Sequence, residues 1–258
     1  MRTAKTQACK FAAVIGLLSF GCQPEPEKGL VALLEEDFGG PSSLMDFLSS
    51  SDESTIRAEL ALYDIGFVQH DLQATSNTLD DCPEFFPSSD RNKWHAFNGE
   101  YYYIDSSGRP QRAYAYLPPI AAEARSSSCQ ASIGRWGDQE NPSNDYDGGH
   151  LIGSQLGGWG RRANIVPQDT NFNRGNWAQL ENRMARCDDL PFNRMFYYVR
   201  LGYTNGSTLI PDTYTMILED RVQRDRVTLN FINDNFGGSN GTAERHRGVD
   251  FLIDNGCL

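Results

Sequence analysis

Apolar positions in this chain fall into one block near the start, two helical stripes and two short strand-like runs. The block, Phe11 to Phe20, follows Arg2, Lys5 and Lys10 and ends at Gly21-Cys22. Residues 54–65 carry Ile56, Leu60 and Tyr63 at helical spacing, with Ser54 as a cap and Gly66 as a stop, which predicts a short amphipathic helix. Leu151-Ile152 reads as a short apolar strand broken by Gly157-Gly158, and Asn164 to Val166 as a returning strand ended by Pro167. Trp177, Leu180 and Met184 then share one stripe, which predicts a core-packed helix. Asn173 stands at its N-terminus, where Asn is a favoured cap. Gly237-Gly238 and Asn240-Gly241 mark a loop without a Walker-type lysine.

The polar residues between these elements carry the chemistry. His150 ends Asp147-Gly148-Gly149-His150, and Gly148-Gly149 permits a tight backbone before it. Asn164, Asn173 and Glu181 follow within a span that holds no lysine. One imidazole with several carboxamides suits a hard, oxygen-seeking cation and a water to be deprotonated. Phosphodiester cleavage has those two needs: a base near neutrality, and positive charge on the phosphate and leaving oxygens. His150 is the candidate general base, and Asn173 the candidate ligand of Mg²⁺ through its side-chain carbonyl oxygen. On an ideal helix Glu181 lies about 80° around and ~12 Å along from Asn173. That is too far to share the ion's first shell, so Glu181 is expected to orient substrate or support the site. Asp147 is expected to fix the turn before His150. His70, His95 and His246 stand at no zinc-ligand spacing.

The motifs Asp147-x-Gly149-His150, Asn164-x-x-Pro167-Gln168 and Asn173-x-Gly175-x-Trp177-x-x-Leu180-Glu181 resemble those of the DNA/RNA non-specific endonucleases of the ββα-metal, or His-Me finger, class. The resemblance implies that His150 is the general base, that Asn173 is the sole protein ligand of one Mg²⁺ (with Mn²⁺ as a possible substitute), and that Asn164 and Glu181 support the site. It implies products with 5′-phosphates. It extends upstream, where 101–105 and 113–117 look like the family's leading hairpin and Arg125, Gln130, Gly134 and Asp138 like the joining segment. Downstream, 197–203 and 210–214 look like sheet strands. One position departs: many members have Arg where this chain has Gly148. Arg161, Arg162 and Arg174 are the nearest candidates to contact phosphate instead, because guanidinium forks suit its oxygens. The expected fold is α+β, a central antiparallel sheet flanked by helices with a ββα-metal finger on one side.

Composition changes this picture at the ends. Residues 1–22 read as an export signal too short for a permanent membrane span. Ser19-Phe20-Gly21-Cys22 resembles a bacterial lipoprotein cleavage box, so Cys22 is the candidate lipidation site; an ordinary secretory signal is the alternative. By resemblance to enterobacterial sorting, Gln23 after Cys22 favours the outer membrane. Segment 23–90 reads as an acidic tether and loosely structured N-terminal segment, leaving 91–258 as one endonuclease domain with a single core. The net charge of −11 argues against a nucleic-acid partner at first sight. Segment 23–90, however, holds fifteen Asp/Glu against Lys28 and Arg57, whereas 91–248 holds seventeen against eighteen Lys/Arg. The acidic excess therefore belongs to the tether. Cys82, Cys129, Cys187 and Cys257 predict two disulfides in an exported chain. Their pairing is open, and a Cys82–Cys257 bridge would tie the ends of the domain. The expected activity is that of an exported, Mg²⁺-dependent endonuclease acting on DNA, with RNA as a second candidate substrate, and with little sequence preference, because backbone contacts carry no direct sequence information. The competing reading is an inactive nucleic-acid-binding surface lipoprotein.

Overall fold

The structure, a computed structural model, describes residue 48 and residues 53–61, 66–70, 82–117, 126–191 and 194–258. The export signal, Cys22, Arg125 and most of the acidic segment lie outside these residues. Among those described, nine strands form two sheets. β1 (Gly66–Gln69), β2 (Lys93–Phe97), β3 (Glu100–Ile104), β4 (Pro110–Leu117), β7 (Met195–Gly202), β8 (Thr213–Asp220) and β9 (Asp225–Ile232) form the larger sheet in that order. β5 (Tyr146–His150) and β6 (Ile165–Asp169) form a separate pair. The helices are α1 (Glu53–Ala61), α2 (Ser127–Glu140), α3 (residues 170–184) and α4 (Gly241–Asp254).

The large sheet is antiparallel except at one edge, where β1 runs parallel to β2. That edge strand comes from the segment expected to be a loose tether. The period-2 alternation of side chains sorts the aromatic-rich strands into two buried faces. Trp94, Tyr101, Tyr103, Tyr114, Phe196 and Tyr198 face one way and pack with Leu48 and Ile56 of the N-terminal segment. Tyr102, Ala113, Tyr197, Val199 and Tyr214 face the other way and join Leu151, Val166, Trp177 and Leu180. The finger thus sits on the inner face of a sheet covered on both sides, and its position is fixed by a continuous apolar core.

Several local expectations are corrected. Leu151-Ile152 is not a strand; the strand is 146–150, and His150 is its last residue. Pro167 does not end β6, which continues to Asp169 and pairs Pro167 with Gly148. Proline is tolerated because β6 is an outer strand of a two-stranded sheet. Asn173 does not cap α3. Asp169 does, accepting the Phe172 N–H at 2.9 Å, which moves Asn173 inside the helix. Helix α2, capped by Ser126, and helix α4 carry no strong apolar stripe and were not anticipated. Cys82 bridges Cys129 and Cys187 bridges Cys257, so the two ends are tied to the body and not to each other.

Candidate active site

Strand β5 runs between α2 on one side and α3 on the other. Its glycines permit this. A β-carbon at Gly148 would lie 2.4 Å from the Gln130 backbone oxygen, and one at Gly149 would lie 2.0 Å from Gln168 Oε1. Helix α2 therefore rests directly on the strand, and Gln130 donates from Nε2 to Gly148 O at 3.3 Å, with His150 Nδ1 3.4 Å away. His150 is buried, and its carbonyl accepts the Trp177 indole N–H at 3.0 Å. The same N–H lies 3.1 Å from Glu181 Oε1. Glu181 Oε2 accepts from Gln155 Nε2 at 3.4 Å. Glu181 thus joins three parts of the finger: α3, the loop after His150 and, through the indole, the end of β5. Burial and the nearby Glu181 carboxylate hold the Tyr197 phenol well above its ordinary range, so it is neutral where it donates to Leu151 O.

Asn173 and Arg174 lie in the first turns of α3, on its solvent side. Asn173 Nδ2 donates to Asp147 Oδ2 at 3.0 Å. Arg174 grips both oxygens of the same carboxylate at 2.8 and 2.7 Å, and that bond raises the Arg174 pKa. Asp147 therefore clamps β5 to α3 and does more than fix a turn. At 71 % side-chain exposure for Arg174, the ion pair contributes little stability by itself. Since only the amide nitrogen can donate to a carboxylate, the contact fixes the flip of Asn173 and assigns its other atom as a carbonyl acceptor. Asn173 and Arg174, with Gln130, Arg135, Asp147 and Gly148, border a hollow of about 460 Å³.

The remaining expected residues lie elsewhere. Asn164 is fully buried; its Oδ1 accepts Ile152 N at 2.8 Å and its Nδ2 donates to Ile152 O and Trp159 O at 2.8 and 2.9 Å. It knots the loop that follows His150. Arg162 is a correction. It is fully buried and donates to the carbonyls of Pro83, Ile165 and Glu84, and burial pushes its pKa down to about 10. A guanidinium committed in this way has no face for phosphate. Arg161 is half-buried at the start of that turn. Two supporting side chains carry more than the sequence reading assigned them. Gln130 stood only in the joining segment, and Trp177 was read as core. A buried indole needs an acceptor, and its i, i+4 spacing to Glu181 was the available signal.

Among the described residues no group of three or more His, Cys, Asp or Glu is placed to hold a metal ion. A carboxamide oxygen beside a carboxylate fits a hard ion that keeps most of its waters.

A two-stranded sheet followed by a helix, with a histidine ending the first strand and an asparagine at the helix start, defines a ββα finger. The profile of the DNA/RNA non-specific endonuclease family matches residues 91–221. The chain belongs to that family and is a nuclease. It is also similar to NucA from Streptococcus agalactiae in two solved structures. The one with no metal bound is 18 % identical with a TM-score of 0.38, covering 57 % of this chain and 88 % of that one. The one with magnesium bound has the same identity and TM-score over 55 % and 84 %.

Proposed function

We propose that the protein is an exported, Mg²⁺-dependent endonuclease that hydrolyses DNA, with RNA as a second candidate substrate, and with little sequence preference. His150 takes a proton from the attacking water, which adds to phosphorus as the P–O3′ bond breaks; the departing 3′-oxygen takes a proton from solvent, leaving a 3′-hydroxyl and a 5′-phosphate. Asn173 would hold the ion through Oδ1. A bound divalent ion would supply positive charge at the phosphate and at the departing oxygen. Asp147 positions the Asn173 carboxamide. Trp177 and Glu181 hold the end of β5, and Asn164 holds the loop that leaves it; these residues position His150 and are not themselves reactants. The observation that carries the reading is the Asp147–Asn173 contact at 3.0 Å, which links the strand of the base to the helix of the ligand and directs Nδ2 inward to the carboxylate. Two disulfides support an oxidising compartment. Anchoring through a lipid on Cys22, at the outer membrane or cell surface, remains part of the proposal.

The test is conversion of supercoiled plasmid to linear and fragmented DNA by the purified protein in Mg²⁺, with EDTA as control. His150→Ala should lower the rate ~10²–10⁴-fold, the range of general-base contributions, and Asn173→Ala should raise the Mg²⁺ requirement. An intact plasmid with wild-type protein, or a His150→Ala variant as fast as wild type, overturns the proposal.

A further inference from the structure

Gly148, beside Asn173 and Asp147, supplies no guanidinium to a phosphate. The structure excludes any side chain at 148. Its β-carbon would meet Gln130 O at 2.4 Å and Gln130 Cα at 2.6 Å, and these are backbone atoms of a packed helix that cannot swing aside. What occupies that space is α2, and α2 presents a face of its own to the hollow beside Asn173: Gln130, Gly134, Arg135 and Asp138.

We propose that Arg135, delivered from α2, binds a backbone phosphate of the nucleic acid beside Asn173, in the role that a residue at 148 cannot fill. This rests on the nuclease reading above and names a substrate contact within it. Three observations support Arg135 over the other arginines. Arg162 is buried and bound to three carbonyls. Arg174 has its fork closed on both Asp147 oxygens. Arg161 does not border the hollow. Arg135 is exposed, and among the described residues its hydrogen bond is to Ser132 Oγ at 3.3 Å on its own helix. One of five N–H donors is engaged there, and the fork that fits two phosphate oxygens is left uncommitted. The hollow also holds Asp138, whose Oδ1 accepts Tyr146 N at 2.8 Å, and Asp147. Asp147 is already paired with Arg174, so a phosphate entering the hollow meets the Asp138 carboxylate, and a cation on the α2 side offsets it.

The experiment uses the whole protein and a fluorescein-labelled DNA oligonucleotide. Binding is followed by anisotropy in EDTA across a NaCl series, and cleavage kinetics are followed in Mg²⁺. Arg135→Ala should weaken binding about tenfold and reduce the slope of log affinity against log salt by about one, the signature of one lost phosphate contact. KM should rise by a similar factor, with kcat changing less. Arg135→Lys should restore the salt slope and only part of the affinity, since an ammonium lacks the fork. Because Arg135 is on the surface, its melting temperature should match wild type, which separates a contact from a fold defect. A wild-type protein that cleaves, with Arg135→Ala unchanged in affinity and slope, overturns this proposal alone. A wild-type protein that neither cleaves nor binds overturns it together with the nuclease mechanism.

Discussion

Asn164→Ala should damage the enzyme through the loop and not through the chemical step. The carboxamide satisfies three backbone groups at once: Ile152 N, Ile152 O and Trp159 O. Ile152 is fully buried and Trp159 nearly so. Truncation leaves three unpaired groups, each costing about 1–3 kcal/mol when water cannot replace the partner. Water can enter beside Trp159, where 8 % exposure remains, so a net loss of about 3–5 kcal/mol is expected. At 2–4 °C per kcal/mol for a domain of this size, that is a drop of roughly 6–20 °C in melting temperature. Asn164→Asp should be worse at neutral pH, because its second carboxylate oxygen would face two carbonyls with no proton between them. Differential scanning calorimetry reads the stability, and plasmid cleavage well below the melting point reads the chemistry. The pH profile should keep its shape, since His150 is untouched. If Asn164→Ala melts within 2 °C of wild type, or shifts the pH profile at full stability, the assignment of Asn164 as a loop knot is wrong.

Two further outcomes concern the body of the fold. His95 is fully buried, stacked on His70 with Nδ1 3.0 Å from His70 Nε2, and burial lowers its pKa from 6.5 to about 4. The unfolded chain therefore takes up this proton first as pH falls, so stability from His95 is full above pH 6.5 and is lost towards pH 4, by about 3 kcal/mol. Urea titrations should show that loss in wild type and a shallower one in His95→Gln; equal slopes would refute it. Replacing Cys187 and Cys257 by alanine opens a loop with a sequence separation of 70, which the chain-entropy relation puts at about 4 kcal/mol. Melting should fall by roughly 10 °C, and an unchanged value would mean that the pair does not form in solution.

Packing was legible in the sequence where spacing is local. Trp177, Leu180 and Met184 gave the buried stripe of α3, and all three are fully buried. The motif residues His150, Asn173 and Glu181 fall on the finger as the resemblance implied. Legibility failed where tertiary partners decide. Arg162 looks like a surface cation until the carbonyls of Pro83 and Glu84, some eighty positions away, are seen to close on it. The cap of α3 passed from Asn173 to Asp169 because Asp169 is anchored by Asn233, whose Oδ1 takes its N–H at 2.8 Å. Strand β1 emerged from an acidic segment because main-chain pairing with β2 does not depend on composition. The cysteine pairing depended on which elements α2 and α4 approach, and neither helix had a pattern strong enough to place it.

The turn at Asn173 explains why ideal helix geometry misjudged the site. Residues Asn173–Trp177 form a π-type turn with Gly175 out of helical range, at φ −98° and ψ −107°. The kink at Gly175 breaks the regular 100° per residue, so the ~80° separation of Asn173 and Glu181 on a straight helix does not apply here. Both side chains come to the side of α3 that meets β5, where one reaches Asp147 and the other shares the indole N–H with the His150 carbonyl. Glu181 is committed to the indole N–H and to Gln155 Nε2, and Asn173 to Asp147, so the two do not share one coordination shell. A straight helix would satisfy one contact to β5 and turn the other away. The irregular turn lets a single helix hold the strand at both Asp147 and His150, and thereby fixes the spacing between the base and the carboxamide.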